Sequence, residues 1–482
     1  MPTLHLLDYA AIGIYFAVLL WVGYRVMRTQ QAGRETESFM AADRDMNLLQ
    51  TTASTAATDL GGGFSIAMGG LGFTLGISGS WLIAVSGLSI VLASFLMVPR
   101  VKRWADRVQG LTTGDLFEAR FDRRTGSLAA IVIALAWFTF VGGQIIAGGK
   151  LLQVTLGMNL ELAIFLAGAV ILAYTAMGGL KAVIHTDVFQ MVVLFVGVIL
   201  ILVPIGLYRV GGWSELMAQL AASPDTVMMT RWDAVGWKQA LGWFFAIFPI
   251  WFISIAALQR IVAARDERTA RRAFLLTGVP IEWPLFAIGS TLVGLLARVL
   301  VPDLADAELA TPTMILTLLP VGLAGVVIAA YIAAVMSTAD SCLIGPVTIL
   351  TNDVYRKLYR PTARSAELLR VARVLTLVLG ILAIAIAYLA PSVLDLVLYA
   401  YTFGAAGLFF PMLGLLFWPR TTATGAFWSM VLGGCSAVAW TLAGEPWDFA
   451  ASYAGWAVAL PVLVVVSLIT RHSPDENPGL FA

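Results

Sequence analysis

The chain has 482 residues, 59% hydrophobic and only 12% charged, with a formal net charge of +1. Soluble domains run near about a quarter charged, so a single water-soluble core is excluded, and the near-neutral balance excludes a basic nucleic-acid-binding body. Two cysteines, Cys342 and Cys435, both in apolar runs, exclude a disulfide framework or a CxxC metal site and read as small packing residues.

A membrane-spanning helix needs roughly 20 mostly apolar residues, and runs of that length recur from residue 8 to residue 470. The first, 8–27, has no basic residue ahead of it and has Arg25 and Arg28 at its far end. That polarity is the reverse of a signal peptide's, so the segment is expected to remain as a helix with its N-terminus outside. Apolar windows between charged or Gly/Pro-rich breaks predict thirteen spans, starting near Asp8, Asn47, Ser80, Gly126, Leu160, Thr186, Gly236, Ala273, Thr313, Glu367, Val393, Thr422 and Tyr453, with the ninth able to run on through residue 350. The longest polar excursion, about 209–237, carries Trp213, Trp232 and Trp237, which suit an interfacial aromatic belt on an external cap. The tail 471–482 is short and polar and is broken by Pro474 and Pro478, so little order is expected there.

Cytoplasmic loops collect Lys and Arg. With the N-terminus outside, 25 of the 30 basic residues fall inside, among them Arg34, Arg260 and the cluster from Arg356 to Arg373; Lys150, Arg209, Arg231, Lys238 and Arg298 stay outside. The bias calls for an odd number of spans and a cytoplasmic C-terminus.

An ionisable side chain at mid-bilayer costs at least ~2.5 kcal/mol, so it usually meets an ion, a partner or a water-filled path. Asp59 in the second span, Asp187 at the start of the sixth and Asp340 in the ninth stand out. The second span is also a poor continuous helix, because each internal glycine costs roughly 1 kcal/mol against alanine and Gly61-Gly62-Gly63 follow one another. Unwound backbone at membrane depth survives only where it lines a cavity, and its freed carbonyls become hard oxygen ligands. Ser337 and Thr338 add hydroxyls, and Asp340 and Ser341 recur three positions later on nearly the same helical face. Oxygen ligands with one or two carboxylates suit a monovalent hard cation, and no Cys/His cluster argues for a softer metal. Each feature has a plainer reading: serine and threonine often glue membrane helices, the glycines can mark close packing, and Asp187 behind Thr186 can cap a helix start. An unwinding signal together with a Ser-Thr-x-Asp-Ser face is harder to explain as packing.

Three stretches resemble the sodium/solute symporter family over essentially the whole chain. Gly178-Gly179-Leu180-Lys181-Ala182-Val183-Ile184-His185-Thr186-Asp187-Val188-Phe189-Gln190 looks like the family's GG-x-x-AV-x-x-TD-x-x-Q signature, Ala334-Val335-Met336-Ser337-Thr338-Ala339-Asp340-Ser341 like its ninth-span sodium motif, and Ala57-Thr58-Asp59-Leu60 like its unwound ion-binding turn. The resemblance implies an all-α, leucine-transporter-type fold forming one transport domain. It has two inverted five-helix repeats, at about 47–210 and 236–418, with the span at 8–27 before them and two spans at about 422–470 after. The first helix of each repeat is then discontinuous, with the second break near Phe248 to Leu258, where Pro249 lies. A sodium ion is implied at the carbonyls of Ala57, Leu60 and Ala334 and the hydroxyls of Ser337 and Thr338. A second, found in some members, is implied at Asp187, Ser337, Asp340 and Ser341. Asp59 matches an acidic residue that supports sodium binding in proline-transporting members. The branch most resembled is the choline-transporter-like one, through Gly61-Gly62-Gly63-Phe64 and Leu258-Gln259-Arg260, yet its cage positions are here Asp59, Val141 and Ser254. A quaternary ammonium needs aromatic faces around it, so choline itself does not fit, while Asp59 leaves room for a cationic amine.

The function implied is sodium-coupled import of a small polar organic solute by alternating access in a plasma membrane, the inner membrane of a bacterium. Sodium is the coupling ion, there is no other cofactor, and no nucleic-acid or obligatory protein partner is implied. Solute pocket candidates beside the two breaks are Phe64, Ser65, Gln144, Trp251 and Ser254. The rival readings are a proton-coupled symporter, a transporter-like sensor, a channel, and a membrane enzyme, for which His185 is the only imidazole away from the termini and lacks an evident partner.

Overall fold

The boundaries of the helices follow from local chemistry. A capping box closes the start of the helix after Asn47, whose side chain accepts from the Gln50 amide while Gln50 returns a bond to the Asn47 amide. Asp122, Asn159, Ser392 and Thr422 cap later helices with a side-chain oxygen alone, each accepting from a first-turn amide. A computed structural model describes residues 4–28, 39–390, 392–474 and 476–481. Arg34, counted above among the inside residues, and Asp475 and Ala482 of the tail lie outside the described residues.

The principal helices are α1 (Leu6–Arg28), α2 (Leu48–Asp59), α3 (Gly62–Leu75), α4 (Trp81–Leu96), α5 (Arg123–Leu156), α6 (Leu160–Leu194), α7 (Trp237–Ile247), α8 (Ile250–Ile253), α9 (Ile255–Ala263), α10 (Glu267–Leu276), α11 (Ala287–Leu300), α12 (Leu323–Ile349), α13 (Ser365–Leu389), α14 (Val393–Phe417), α15 (Ala423–Leu442) and α16 (Ala451–Ile469). Among the described residues 11 helices are long and apolar enough to cross a membrane. By that measure the half-helix α2 is too short and polar to count, the run Leu160–Leu172 is only a shorter apolar helix, and Gly62–Leu96 counts once.

α12 is the axis of the molecule: it packs against α5, α6, α1, α2 and α3, and apart from a few positions near its start its residues are buried. α13 shows the opposite face, with Val374, Leu377, Val378, Ile381 and Leu382 exposed. An apolar belt of that kind is stable only against lipid.

Several expected boundaries move. The fifth and sixth spans form one helical run bent at Gly179, whose φ of 66° and ψ of 173° leave the helical region, so the sixth begins there rather than at Thr186. Asp187 is therefore inside a helix and caps nothing. The ninth span starts at Leu323 and not near Thr313, because Pro320 and Gly322 (φ 88°) separate it from a short helix, Ala310–Leu318. Asp8, at the first span's start, is buried and accepts from the amides of Gly322 (2.7 Å) and Gly325 (2.8 Å), capping α12 from another helix. The excursion at 209–237 is partly helical, at Trp213–Ala221, and is pinned where the Trp81 indole donates to the Trp232 carbonyl at 2.7 Å. The tail is docked: the Asn477 amide donates to the Arg120 carbonyl at 3.0 Å, and Leu480 and Phe481 pack on the core.

Close helix crossings depend on missing side chains. A Cβ at Gly294 of α11 would fall 2.0 Å from the Gly69 carbonyl and 2.6 Å from the Phe73 amide of α3, whereas one at Gly23 meets nothing within 4 Å. Gly294→Val should therefore lower the apparent Tm of the detergent-solubilised protein by the equivalent of about 1–3 kcal/mol, and Gly23→Ala should leave it unchanged. Fluorescence-detected size exclusion after heating reads both.

Candidate ion and solute site

The backbone loses its regular helix at both places where the glycine run and Pro249 predicted. Between α2 and α3, Leu60 (ψ 27°) and Gly61 (ψ 167°) are non-helical, and between α8 and α9 Ser254 takes φ −59° and ψ 124°. Gly61 is required at its position, since a Cβ there would fall 2.1 Å from Thr338 Oγ1. The contact that makes glycine obligatory is also the seam between the break and α12. Across it the Ala57 carbonyl accepts from Ser337 Oγ at 3.0 Å and Thr338 Oγ1 at 3.1 Å, and Ser337 Oγ reaches its own Ala334 carbonyl at 3.1 Å. Four oxygens, two of them carbonyls, are thus gathered on buried residues. The Leu60 carbonyl, the fifth expected ligand, accepts from Ser65 Oγ at 2.9 Å.

The solute pocket candidates divide into two groups. Ser65 is taken up by the Leu60 carbonyl, and Ser254 accepts from the Ala257 amide at 3.1 Å as the cap of α9. Phe64, Gln144 and Trp251 keep groups for other uses. Gln144 Oε1 accepts from the Gly63 amide at 2.8 Å, while its Nε2 has no partner among the described residues. Phe64 faces the Tyr401 ring at 6.0 Å, and Tyr401 stacks on Phe140 at 5.1 Å. Trp251 Nε1 donates to Ser86 Oγ at 3.0 Å, and Ser86 Oγ donates onward to Asp59 Oδ2 at 2.9 Å. Ser89 one turn on donates to the Phe248 carbonyl, so α4 grips both breaks.

Two functional candidates escaped the sequence. Glu282 lies in an irregular stretch between α10 and α11 where Val279 and Trp283 leave helical geometry beside Pro280 and Pro284. It is fully buried, its carboxyl oxygens have no hydrogen-bond partner among the described residues, and it lies against Asp59 and Ser86. The rule that singled out three aspartates finds Glu282 as well, since it too is charged within an apolar span. Arg260 is the second. Counted above as a loop cation, it is 1% exposed within α9 and bonded to Ser54, Thr58, Asp187 and Ser341. Asp340 Oδ1 accepts from its neighbour's amide, Ser341 N, at 2.6 Å, and its Oδ2 has no partner among the described residues. His185, the imidazole considered for an enzyme, lies between Gln50 Nε2 (3.0 Å) and the Lys181 carbonyl (2.8 Å).

The family model described as "Sodium:solute symporter family" matches residues 39–433. The chain belongs to that family. It is a multi-pass membrane transporter, and its relatives are symporters rather than enzymes. It is 27% identical to the osmoregulated proline transporter OpuE of Bacillus subtilis (strain 168), covering 98% of this chain and 96% of the relative. The high-affinity proline transporter PutP of the same strain is 28% identical, over 90% of this chain and 92% of the relative. A sodium/proline symporter of Staphylococcus aureus (strain USA300) is 26% identical over 98% and 94%. Among solved structures, a Na+-coupled sialic acid symporter in a substrate-bound outward-open state superposes with a TM-score of 0.79 at 22% identity, covering 98% of this chain and 99% of the other. A nucleobase-cation-symport-1 family transporter in a closed conformation gives 0.57 at 17%, over 91% and 96%. These likenesses show a shared fold.

The seam at Gly61 has a direct test. Cys342 is buried beside Ser341 and Cys435 is exposed. In a Cys435→Ser background, maleimide should label Cys342 slowly in the otherwise unaltered protein and several-fold faster in Gly61→Ala, because the added methyl forces α12 away. Equal rates contradict the seam.

Proposed function

We propose that this chain is a sodium-coupled secondary active symporter that imports a small polar organic solute. It would act by alternating access across a plasma membrane, with the N-terminus outside and the C-terminus in the cytoplasm. The observation that carries the reading is the meeting of the Ala57 carbonyl with Ser337 and Thr338 across a helix break. Nothing in a packing role requires a helix to unwind there, and hard oxygens at that spacing suit a monovalent cation. Sodium takes the carbonyls of Ala57, Leu60 and Ala334 and the hydroxyls of Ser337 and Thr338. Asp59 supports the site from one residue away. The layout proposed is one transport domain of thirteen spans, with inverted repeats at about 47–210 and 236–418, one span before and two after. In its support, the two breaks begin corresponding segments, and a parallel bridge joins Met46, before the first, to Ala264, after the second.

Sodium binds first, ties the broken helix to α12 and completes the solute pocket. Closure and reopening then expose both to the cytoplasm. One charge crossing about 100 mV contributes ~2.3 kcal/mol, and a tenfold gradient adds ~1.4 kcal/mol. Together, at about 3.7 kcal/mol, they sustain roughly 500-fold accumulation of a solute without net charge.

The solute binds among Phe64, Gln144 and Trp251, with Asp59 and Glu282 on one side. Asp59 accepts from the Ser86 hydroxyl, and neither Glu282 oxygen has a donor among the described residues; two such buried carboxyls favour a ligand bringing its own N–H groups, so the solute carries a protonated amine or imine. The relatives named for proline make a small zwitterion the first compound to assay.

Ser337→Ala and Thr338→Ala should each raise the sodium concentration for half-maximal uptake in proteoliposomes by roughly tenfold, the cost of one ligand oxygen. An unchanged sodium dependence in both contradicts the site. A thermal-shift screen of amino acids, amines, organic acids, sugars and vitamins, run in sodium and in potassium, should find an amine-bearing compound that stabilises only in sodium. Glu282→Gln should weaken that compound roughly tenfold while leaving stabilisation by sodium alone in place.

A further inference from the structure

The resemblance to family members with two ions implies a second sodium among Asp187, Asp340 and Ser341. The residues present do not fit one, because the locus is already filled. Arg260 enters from α9, the half-helix after the second break, and its guanidinium lies among the groups that would serve as ligands. Nε contacts Ser54 Oγ at 3.0 Å, and Nη2 contacts Ser341 Oγ at 2.6 Å, Thr58 Oγ1 at 2.7 Å and Asp187 Oδ2 at 3.2 Å. The hydroxyls are committed further: Ser54 Oγ donates to Asp187 Oδ2 at 2.5 Å and Thr58 Oγ1 to the Ser54 carbonyl at 2.8 Å.

We infer that Arg260 is a tethered cation standing in for a second sodium, so that the cycle carries one sodium per solute. Three physical points support this. A guanidinium keeps its charge at every physiological pH, so the position never empties as an ion site does. Its fork supplies several donors to the hydroxyl oxygens that a sodium would need. Arg260 and Asp187 are 1% and 0% exposed at their side chains, and a second cation at the same carboxylate would be repelled across a few ångströms with little solvent screening. The arginine then does structurally what the second ion would do, joining α2, α6 and α12, and it adds α9 to the junction. It cannot leave, so it contributes nothing to the driving force. Accumulation of a solute without net charge is held near roughly 500-fold, not the square of that figure, for ~100 mV and a tenfold gradient.

The inference rests on the sodium-symport reading, and counting bound sodium separates the two. Radioactive sodium is titrated onto the purified, detergent-solubilised full-length protein at equilibrium, with no solute present. The unaltered protein is expected to bind one sodium per chain, and Ser337→Ala/Thr338→Ala to abolish it. Arg260→Ala is expected to bind two, the vacated oxygens and the freed Asp187 carboxylate accepting the second. Arg260→Lys, which keeps the charge, is expected to bind one, as is Asp187→Ala/Arg260→Ala, which removes both partners and serves as the folding control. Two sodium ions on the unaltered protein overturn the inference and leave the symport reading standing, with Asp187 Oδ1 and Asp340 Oδ2, both without a partner among the described residues, as the place to look. A monodisperse Arg260→Ala that still binds only one also overturns it. No saturable sodium on the unaltered protein overturns both. Should Arg260→Ala not survive purification, the count on the unaltered protein decides alone.

Discussion

Everything in this structure leans on a pair of hydroxyls meeting one carbonyl. A helix that unwinds inside a membrane leaves backbone groups with no water to take them, and the Ala57 carbonyl is met by Ser337 and Thr338, which reach it from α12. The approach requires Gly61, where no Cβ fits against Thr338. It also requires α12 to be held on every side, which explains its burial and the cap that Asp8 lends to its first turn. A weak helix and a rigid one are therefore joined at a single seam, and under the proposed function an ion placed there would change how tightly they are joined.

The second junction uses different chemistry. Where the first gathers neutral oxygens, which suit a cation that comes and goes, the second holds a buried ion pair between Arg260 and Asp187. Burying such a pair is costly, and removing one member leaves an uncompensated charge. It therefore behaves as a permanent fastener. α2 takes part in both, through Ala57 at the one and Ser54 and Thr58 at the other. One end of the contact surface is fixed by an ion pair and the other is held by neutral hydrogen bonds.

Much of this was legible in the sequence because membrane helices tolerate few polar residues, and each exception carries information. The glycine run marked the first break, Pro249 the second, and the Ser-Thr-x-Asp-Ser face of α12 the oxygen cluster. The failures share a cause as well. Arg260 was assigned to a loop because basic residues mostly lie there, and no local pattern reveals that four side chains on three other helices will enclose it. Glu282 carried the same signal as the three aspartates, a charge within an apolar span, and was passed over. The ninth span was placed too early because the apolar run from Ala310 continues across Pro320 and Gly322, where the backbone does not. Ser65 and Ser254, read as pocket candidates, each also bond a nearby backbone group at a helix break, a role set by local geometry that spacing does not show.

Under the proposed function, sodium joins the unwound turn of the first broken helix to α12. The most direct measurement is hydrogen–deuterium exchange of the purified protein in sodium against potassium at equal ionic strength. Sodium should slow exchange across 57–65 and 334–341 together, with far smaller changes in the lipid-facing helix α13. Identical exchange in the two salts across both segments would contradict the claim.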